Sequence, residues 1–151
     1  MSGVTHGSFT IAREYDAPVA MVFKAWADPA AKARWFLAPV PLTDVIRQQD
    51  FRVGGRDRYK GTWPEHFTSD FNCEYLDIVE NARIVYVYDM HLDGKKISVS
   101  LATILFEKSG KGTRMTVTEQ GVFLDGYVDG GSRERGTSGL IDQLGRSLAP
   151  N

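Results

Sequence analysis

From Thr43 to Phe123 the sequence alternates apolar and polar positions with little interruption, and this period of two constrains the fold more than any other feature. Segments near 43–51, 55–62, 67–78, 83–92, 96–107 and 113–123 read as successive strands. Val53-Gly54-Gly55-Arg56, Asp93-Gly94 and Ser109-Gly110-Lys111-Gly112 mark reversals between them, and Asp-Gly is a strong hairpin signal. Strands joined by tight hairpins run antiparallel, since parallel neighbours need long crossovers. With Ser8–Tyr15 in front, the pattern predicts an antiparallel sheet of about seven strands.

Helical signals bracket this run. Val19, Val22, Phe23 and Trp26 recur at i, i+3, i+4 and i+7 and form one apolar stripe. Asp16 is placed to cap that helix, and Pro18 suits its first turn. Asp28-Pro29 repeats the start signal, so a second helix is expected to reach about Trp35. Near the other end, Gly126 to Ser132 reads as a flexible passage with Ser132 as cap of a last helix. On it Leu140, Ile141, Leu144 and Leu148 share a face. Gly136, Gly139 and Gly145 weaken this helix by roughly 1 kcal/mol each relative to alanine, so packing on the sheet must hold it. Met1 to Gly7 is polar and patternless and is expected to fray. One domain is expected, over 8–149.

A long antiparallel sheet with one face to bury curls around the only long helix available. The helix is narrower than the curved sheet, which leaves space between them, and the two short helices plug one end. The predicted class is therefore α+β, a helix-grip fold in which a curved sheet of about seven strands holds a C-terminal helix over an internal cavity. The glycines of that helix point to a locally widened or mobile wall.

Composition narrows the function. A 42% hydrophobic and 25% charged chain is ordinary for a globular protein, and 151 residues bury a core without disulfides. A net charge of −1 gives no electrostatic ground for nucleic acid or an anionic membrane as partner. Cys73 stands alone, which excludes an intrachain disulfide. No apolar run of about 18 residues and no basic-then-apolar leader is present, so a cytoplasmic location is expected.

The ordered set Ala17-Pro18-Val19, Val22-Phe23-Lys24-Ala25-Trp26, Asp28-Pro29, Trp35-Phe36, Phe51-Arg52-Val53-Gly54-Gly55 and Gly112 to Gly121 resembles the SRPBCC, or START-like, superfamily. The likeness is strongest to its branch homologous to the C-terminal domain of the activator of the heat-shock-protein-90 ATPase. It implies the helix-grip fold and a cavity, in a superfamily that hosts lipid carriers, hormone receptors, cyclases and co-chaperones. The eukaryotic activator has a further N-terminal domain that docks on the chaperone. This sequence opens at the first strand of the C-terminal type, so the resemblance does not by itself bring the chaperone role.

Glu119 shares strand parity with Met115 and Val117, so all three face the cavity if any does. A carboxylate there would be desolvated, with its pKa raised, and could act as acid, base or polar anchor. Arg52, Arg56 and Arg58 flank Gly54-Gly55. An arginine turned inward could clamp a carboxylate or phenolate, but parity leaves open whether Arg56 and Arg58 or Asp57 and Tyr59 are inside. Among the many aromatics, Trp26, Trp35, Phe36, Phe51, Trp63 and Tyr88 are the candidate cavity lining, with Arg58 and Glu119 as its polar members. Glu65-His66 could form a small acid/base pair at a pocket mouth, which makes His66 a second catalytic candidate beside Glu119. His6, His66 and His91 have no metal-site spacing, so neither metal nor cofactor is expected. Cys73 sits in phase with Phe71 and Tyr75 and reads as a buried small hydrophobe.

These residues, together with what the resemblance implies, lead to three functions. The leading one is binding of a hydrophobic or aromatic small molecule between sheet and last helix. The others are a cofactor-free cyclase, dehydratase or hydrolase of polyketide type using Glu119, and a stress-related co-chaperone touching a heat-shock-protein-90 homologue. Unpaired sheet edges leave room for a homodimer.

Overall fold

The computed structural model describes residues 2–149. Its elements are β1 (Val4–Tyr15), α1 (Val19–Ala27), α2 (Pro29–Lys32), β2 (Thr43–Gln49), β3 (Arg56–Thr62), β4 (Thr68–Val79), β5 (Arg83–Leu92), β6 (Lys95–Ser109), β7 (Gly112–Leu124) and α3 (Ser132–Leu148). All seven strands form one antiparallel sheet in the order β1-β7-β6-β5-β4-β3-β2. β1 therefore lies at one edge, and α1 and α2 carry the chain to the opposite edge, where the hairpin meander begins. No helix among the described residues is long and apolar enough to cross a membrane.

The period of two becomes the two faces of this sheet. Ile84, Tyr86 and Tyr88 of β5, Ala102, Ile104 and Phe106 of β6, and Met115, Val117 and Glu119 of β7 are all buried on the inner face. Register shifts at Thr43/Ile46, Tyr75/Asp77 and Met90/His91 insert bulges, which bend strands and help the sheet to curl. Asp93 and Gly94 both have positive φ, 50° and 77°, as the tight hairpin between β5 and β6 requires. Gly55 has a different reason: a Cβ there would lie 2.1 Å from the Asp50 carbonyl oxygen.

Ile141 and Leu144 of α3 are buried against the sheet with Leu140 and Leu148 beside them, as the sequence pattern predicts. Tyr15 of β1 fixes the helix at its far end, where its hydroxyl donates to the Ile141 carbonyl at 2.7 Å. A Cβ on Gly145 would meet the same ring at 2.9 Å, so this glycine permits a close approach.

Four local expectations are corrected. Residues 4–7 are not frayed, because they pair with β7 from Val4↔Leu124 to Gly7↔Gly121. Asp16 does not cap α1; the helix starts at Val19, with Pro18 at the cap position and its carbonyl accepting from Met21 and Val22. α2 is short and ends at Lys32 rather than near Trp35, although Asp28 caps it as expected by accepting from the Ala31 amide at 3.1 Å. Ser132 lies inside the first turn of α3. The cap position is Gly131, at φ 82°, and Asp129 accepts from the amides of Gly131 and Arg133.

The helices are anchored by buried polar contacts. The Trp35 indole donates to the Ala25 carbonyl at 2.8 Å and meets the Trp26 ring edge-on. Gln49 of β2 donates to the Trp26 carbonyl, and Gln143 of α3 donates to that of Trp35. Deepest is Lys32, whose ammonium reaches Asp57 of β3 at 2.8 Å and the Tyr75 hydroxyl of β4 at 3.2 Å. Tyr75 in turn donates to the same Asp57 oxygen at 2.5 Å. Both charged side chains are almost fully buried, at 6% and 5% exposed. Removing one partner leaves an uncompensated charge, so Lys32→Met is expected to cost about 3–5 kcal/mol in urea unfolding. The double variant Lys32→Met/Asp57→Asn should lose less than the sum of the two single changes. A single-variant loss under about 1 kcal/mol would mean that the pair behaves as an exposed one.

Candidate functional site

A cavity of about 480 Å³ separates the concave face of the sheet from α3. Trp26, Trp35 and Phe36 close it at the end held by α1 and α2, while Trp63, Phe71 and Tyr88 line the sheet side. Gly136, Gly139, Leu140 and Ile141 line it from α3. A Cβ on Gly136 or Gly139 would meet nothing within 4 Å, so these glycines leave open space where Gly145 makes contact.

The polar groups gather at the other end. Tyr88 donates to Glu119 Oε1 at 2.5 Å, and the Thr137 hydroxyl lies 3.3 Å from Glu119 Oε2. Arg133, in the first turn of α3, donates to the Tyr88 hydroxyl at 3.1 Å, to Ser100 at 3.3 Å and to Ser98 at 2.8 Å. Tyr88 thus accepts from a guanidinium and donates to a carboxylate. Burial raises the Glu119 carboxyl above its ordinary value, and the Tyr88 hydrogen bond, the Arg133 charge and the Thr137 hydrogen bond pull it back only in part. Burial, reinforced by the Glu119 charge, also holds the Tyr88 hydroxyl protonated well above its ordinary range. The site can therefore offer a hydrogen-bonding carboxyl, a phenol and a guanidinium at the end of an apolar chamber.

Six of the candidate residues, Trp26, Trp35, Phe36, Trp63, Tyr88 and Glu119, line this one cavity. Trp26 and Trp35 are deep in its wall at 3% and 1% exposed, not at a rim. Phe51 lies elsewhere, packed edge-on against Phe23 and Tyr75. Arg58 is also outside: Asp57 and Tyr59 take the inner face of β3, and Arg58 forms a two-point ion pair with Asp70 on the outer face. Arg52 and Arg56 are exposed and paired with Asp50 and Glu74. His66 sits in an exposed loop at φ 70°, away from Glu119. Cys73 is buried as expected, and burial pushes its thiol up to about 12, the wrong direction for a nucleophile.

Arg133, Thr137, Ser98 and Ser100 escaped the sequence reading. One signal was there: Ser98 and Ser100 share parity with Ala102, Ile104 and Phe106, and hydroxyls on an otherwise apolar inner face need a partner. Arg133 had no such mark, since a basic residue in a helical first turn usually faces water.

The Glu119 environment gives a pH signature. The folded state holds the Glu119 proton more tightly than the unfolded chain, so stability falls as pH rises from the ordinary glutamate value through the raised one. Urea midpoints measured from about pH 4 to pH 8 should therefore show wild type losing stability relative to Glu119→Gln, then levelling. Wild type gaining stability relative to Glu119→Gln as pH rises would mean that the folded protein favours the charged carboxylate instead.

Comparison with known proteins agrees with this architecture. The profile of the activator of Hsp90 ATPase homolog 1-like protein family matches residues 16–149. A protein of Rhizobium leguminosarum is 41% identical, with 98% of this chain and 97% of that one aligned and a TM-score of 0.93. Protein Mll3558 of Rhizobium loti is 37% identical over 97% of this chain and 99% of that one, with a TM-score of 0.89. CalU16 of Micromonospora echinospora shares the fold at 20% identity, TM-score 0.66, over 99% of this chain and 86% of that one. Curated proteins gave no match. The chain is a member of the activator of Hsp90 ATPase homolog 1-like family, with the helix-grip fold of the SRPBCC superfamily.

Proposed function

We propose that this protein binds an apolar or aromatic small molecule in the cavity between the sheet and α3, with binding rather than catalysis as its role. The observation that carries this reading is the cavity itself: about 480 Å³, walled mainly by aromatic and aliphatic side chains, with Glu119, Tyr88 and Arg133 at one end. Small-molecule sites have this form, a largely preformed apolar chamber of roughly 300–1,000 Å³ with a few convergent polar groups. Apolar burial supplies the affinity, and the polar end sets orientation. In this reading the protein works in the cytoplasm.

The buried carboxyl supports a second reading, acid–base catalysis of polyketide-cyclase type. Turnover of aromatic polyketide-like substrates that Glu119→Gln abolishes would establish it. The family's name raises a third, stimulation of a heat-shock-protein-90 ATPase, which co-purification and an ATPase assay decide.

Native mass spectrometry of freshly purified protein is expected to show a retained small molecule. Titration with neutral N-phenyl-1-naphthylamine should give saturable, one-to-one binding. Trp63→Ala, which removes a half-buried lining ring, should weaken it about tenfold, a loss of about 1.4 kcal/mol, while circular dichroism is unchanged. Absence of saturable binding to the wild type would overturn the proposal.

A further inference from the structure

We propose that the ligand of this cavity carries an acidic group, a carboxylate or a similar oxyanion, and that Arg133 is the residue that binds it. The inference rests on the binding reading above and adds the chemical class of the guest.

Hydrogen-bond accounting makes the case. Arg133 donates to three oxygens, the hydroxyls of Tyr88, Ser98 and Ser100, and all three are neutral. A guanidinium has five N–H donors. Its Nε–H and one Nη2 hydrogen find no acceptor among the described residues. No carboxylate among them lies within ion-pair distance of Arg133, whereas Arg13, Arg52, Arg56, Arg58 and Arg83 each have one. Arg133 is therefore a half-buried cation with spare donors and no carboxylate in direct contact.

The neighbouring acids make their hydrogen bonds to other groups. Glu119 accepts from Tyr88 and Thr137, one on each oxygen. Asp129 spends both oxygens on the Gly131 and Arg133 amides. Glu134 is exposed, and His6 of β1 adds no negative charge. Around this cluster the unmet demand is for an acceptor, which favours an anionic head group over an amine.

Space for that group adjoins Arg133 on two sides. Arg133 and Glu119 line the 480 Å³ cavity on one side and a second void of about 400 Å³ on the other. Gly7 and Gly121, paired across β1 and β7, bound the second void. A Cβ on Gly121 would sit 2.9 Å from the Ser100 hydroxyl that Arg133 holds. Because Arg133 itself lines the cavity, a carboxylate can reach the guanidinium from there while its apolar body stays among the aromatics. A planar guanidinium matches a carboxylate with two parallel hydrogen bonds, which an ammonium does not.

Phenylhexanoic acid and its neutral amide, phenylhexanamide, form a matched pair for calorimetric titration. The acid is expected to bind wild type about tenfold more tightly than the amide, the scale of one charge-assisted hydrogen bond. Arg133→Met should erase that preference, so that acid and amide bind the variant within about twofold of each other. A measurement on wild type needs no variant: the Arg133 Nε–H resonance should shift with the acid and not with the amide. Equal affinity of acid and amide, a preference that survives in Arg133→Met, or an unmoved Nε–H would overturn the inference. In each of those cases binding of the amide keeps the cavity reading alive. Binding of neither probe sinks both.

Discussion

The buried contact between Lys32 and Asp57 is the constraint on which the rest of the molecule depends. β1 and β2 occupy opposite edges of the sheet, so the segment between them must cross one end of the concave face. Two short helices of nine and four residues cannot hold that position by helix propensity, because isolated helices this short are unstable in water. The Lys32 ammonium ties α2 to β3 and β4, and it lies 4.8 Å from the centre of the Phe36 ring. Phe36 is part of the cavity wall, with Phe71 and Tyr59 packed against it. The ion pair thus stands directly behind the closed end of the chamber. Burying two charges is costly, and the aromatic faces of Phe36, Trp26 and Tyr75 around the ammonium offset part of that cost.

The opposite end follows a different rule. There the sheet and α3 approach through polar side chains, and α3 has residues that poorly favour a helix. Gly145 is explained by contact with Tyr15, but Gly136 and Gly139 face open space. Each costs about 1 kcal/mol of helix stability relative to alanine and returns no close packing. Their effect is on volume: side chains at those positions would enter the cavity or narrow its opening. A fold that optimised its core alone would have filled this region, so the glycines are consistent with a cavity kept open for a guest.

Much of this architecture could be read from residue order. Alternation located all seven strands, because the inner face is apolar and the outer face polar, and Asp-Gly needed only its two positive φ values to define a hairpin. The ends of elements were harder. Residues 4–7 carry no apolar rhythm, yet the ladder to β7 extends through them, since backbone pairing asks nothing of side chains. The site was read in part for a similar reason. Strand parity tied Glu119 to Met115 and Val117, but for β3 it offered two equivalent choices. A buried Asp57 becomes acceptable only when Lys32, 25 residues earlier, is known to reach it. That choice turns Arg58 outward. Arg133 was hidden by the same logic, since its hydroxyl partners come from β5 and β6 and meet it only after the sheet has curled.

The two polar clusters therefore divide the work of the fold. Lys32 and Tyr75 converge on one Asp57 oxygen and leave Lys32 with a counter-ion, which suits a structural role. Arg133, Tyr88 and Glu119 form a chain in which the phenol separates the two charges, so the guanidinium is linked to an acid without being neutralised by direct contact. Both clusters are assembled by the same curvature, and only the second borders the 480 Å³ cavity. A half-buried guanidinium with spare donors at the end of an apolar chamber is the feature that distinguishes the second cluster from the first.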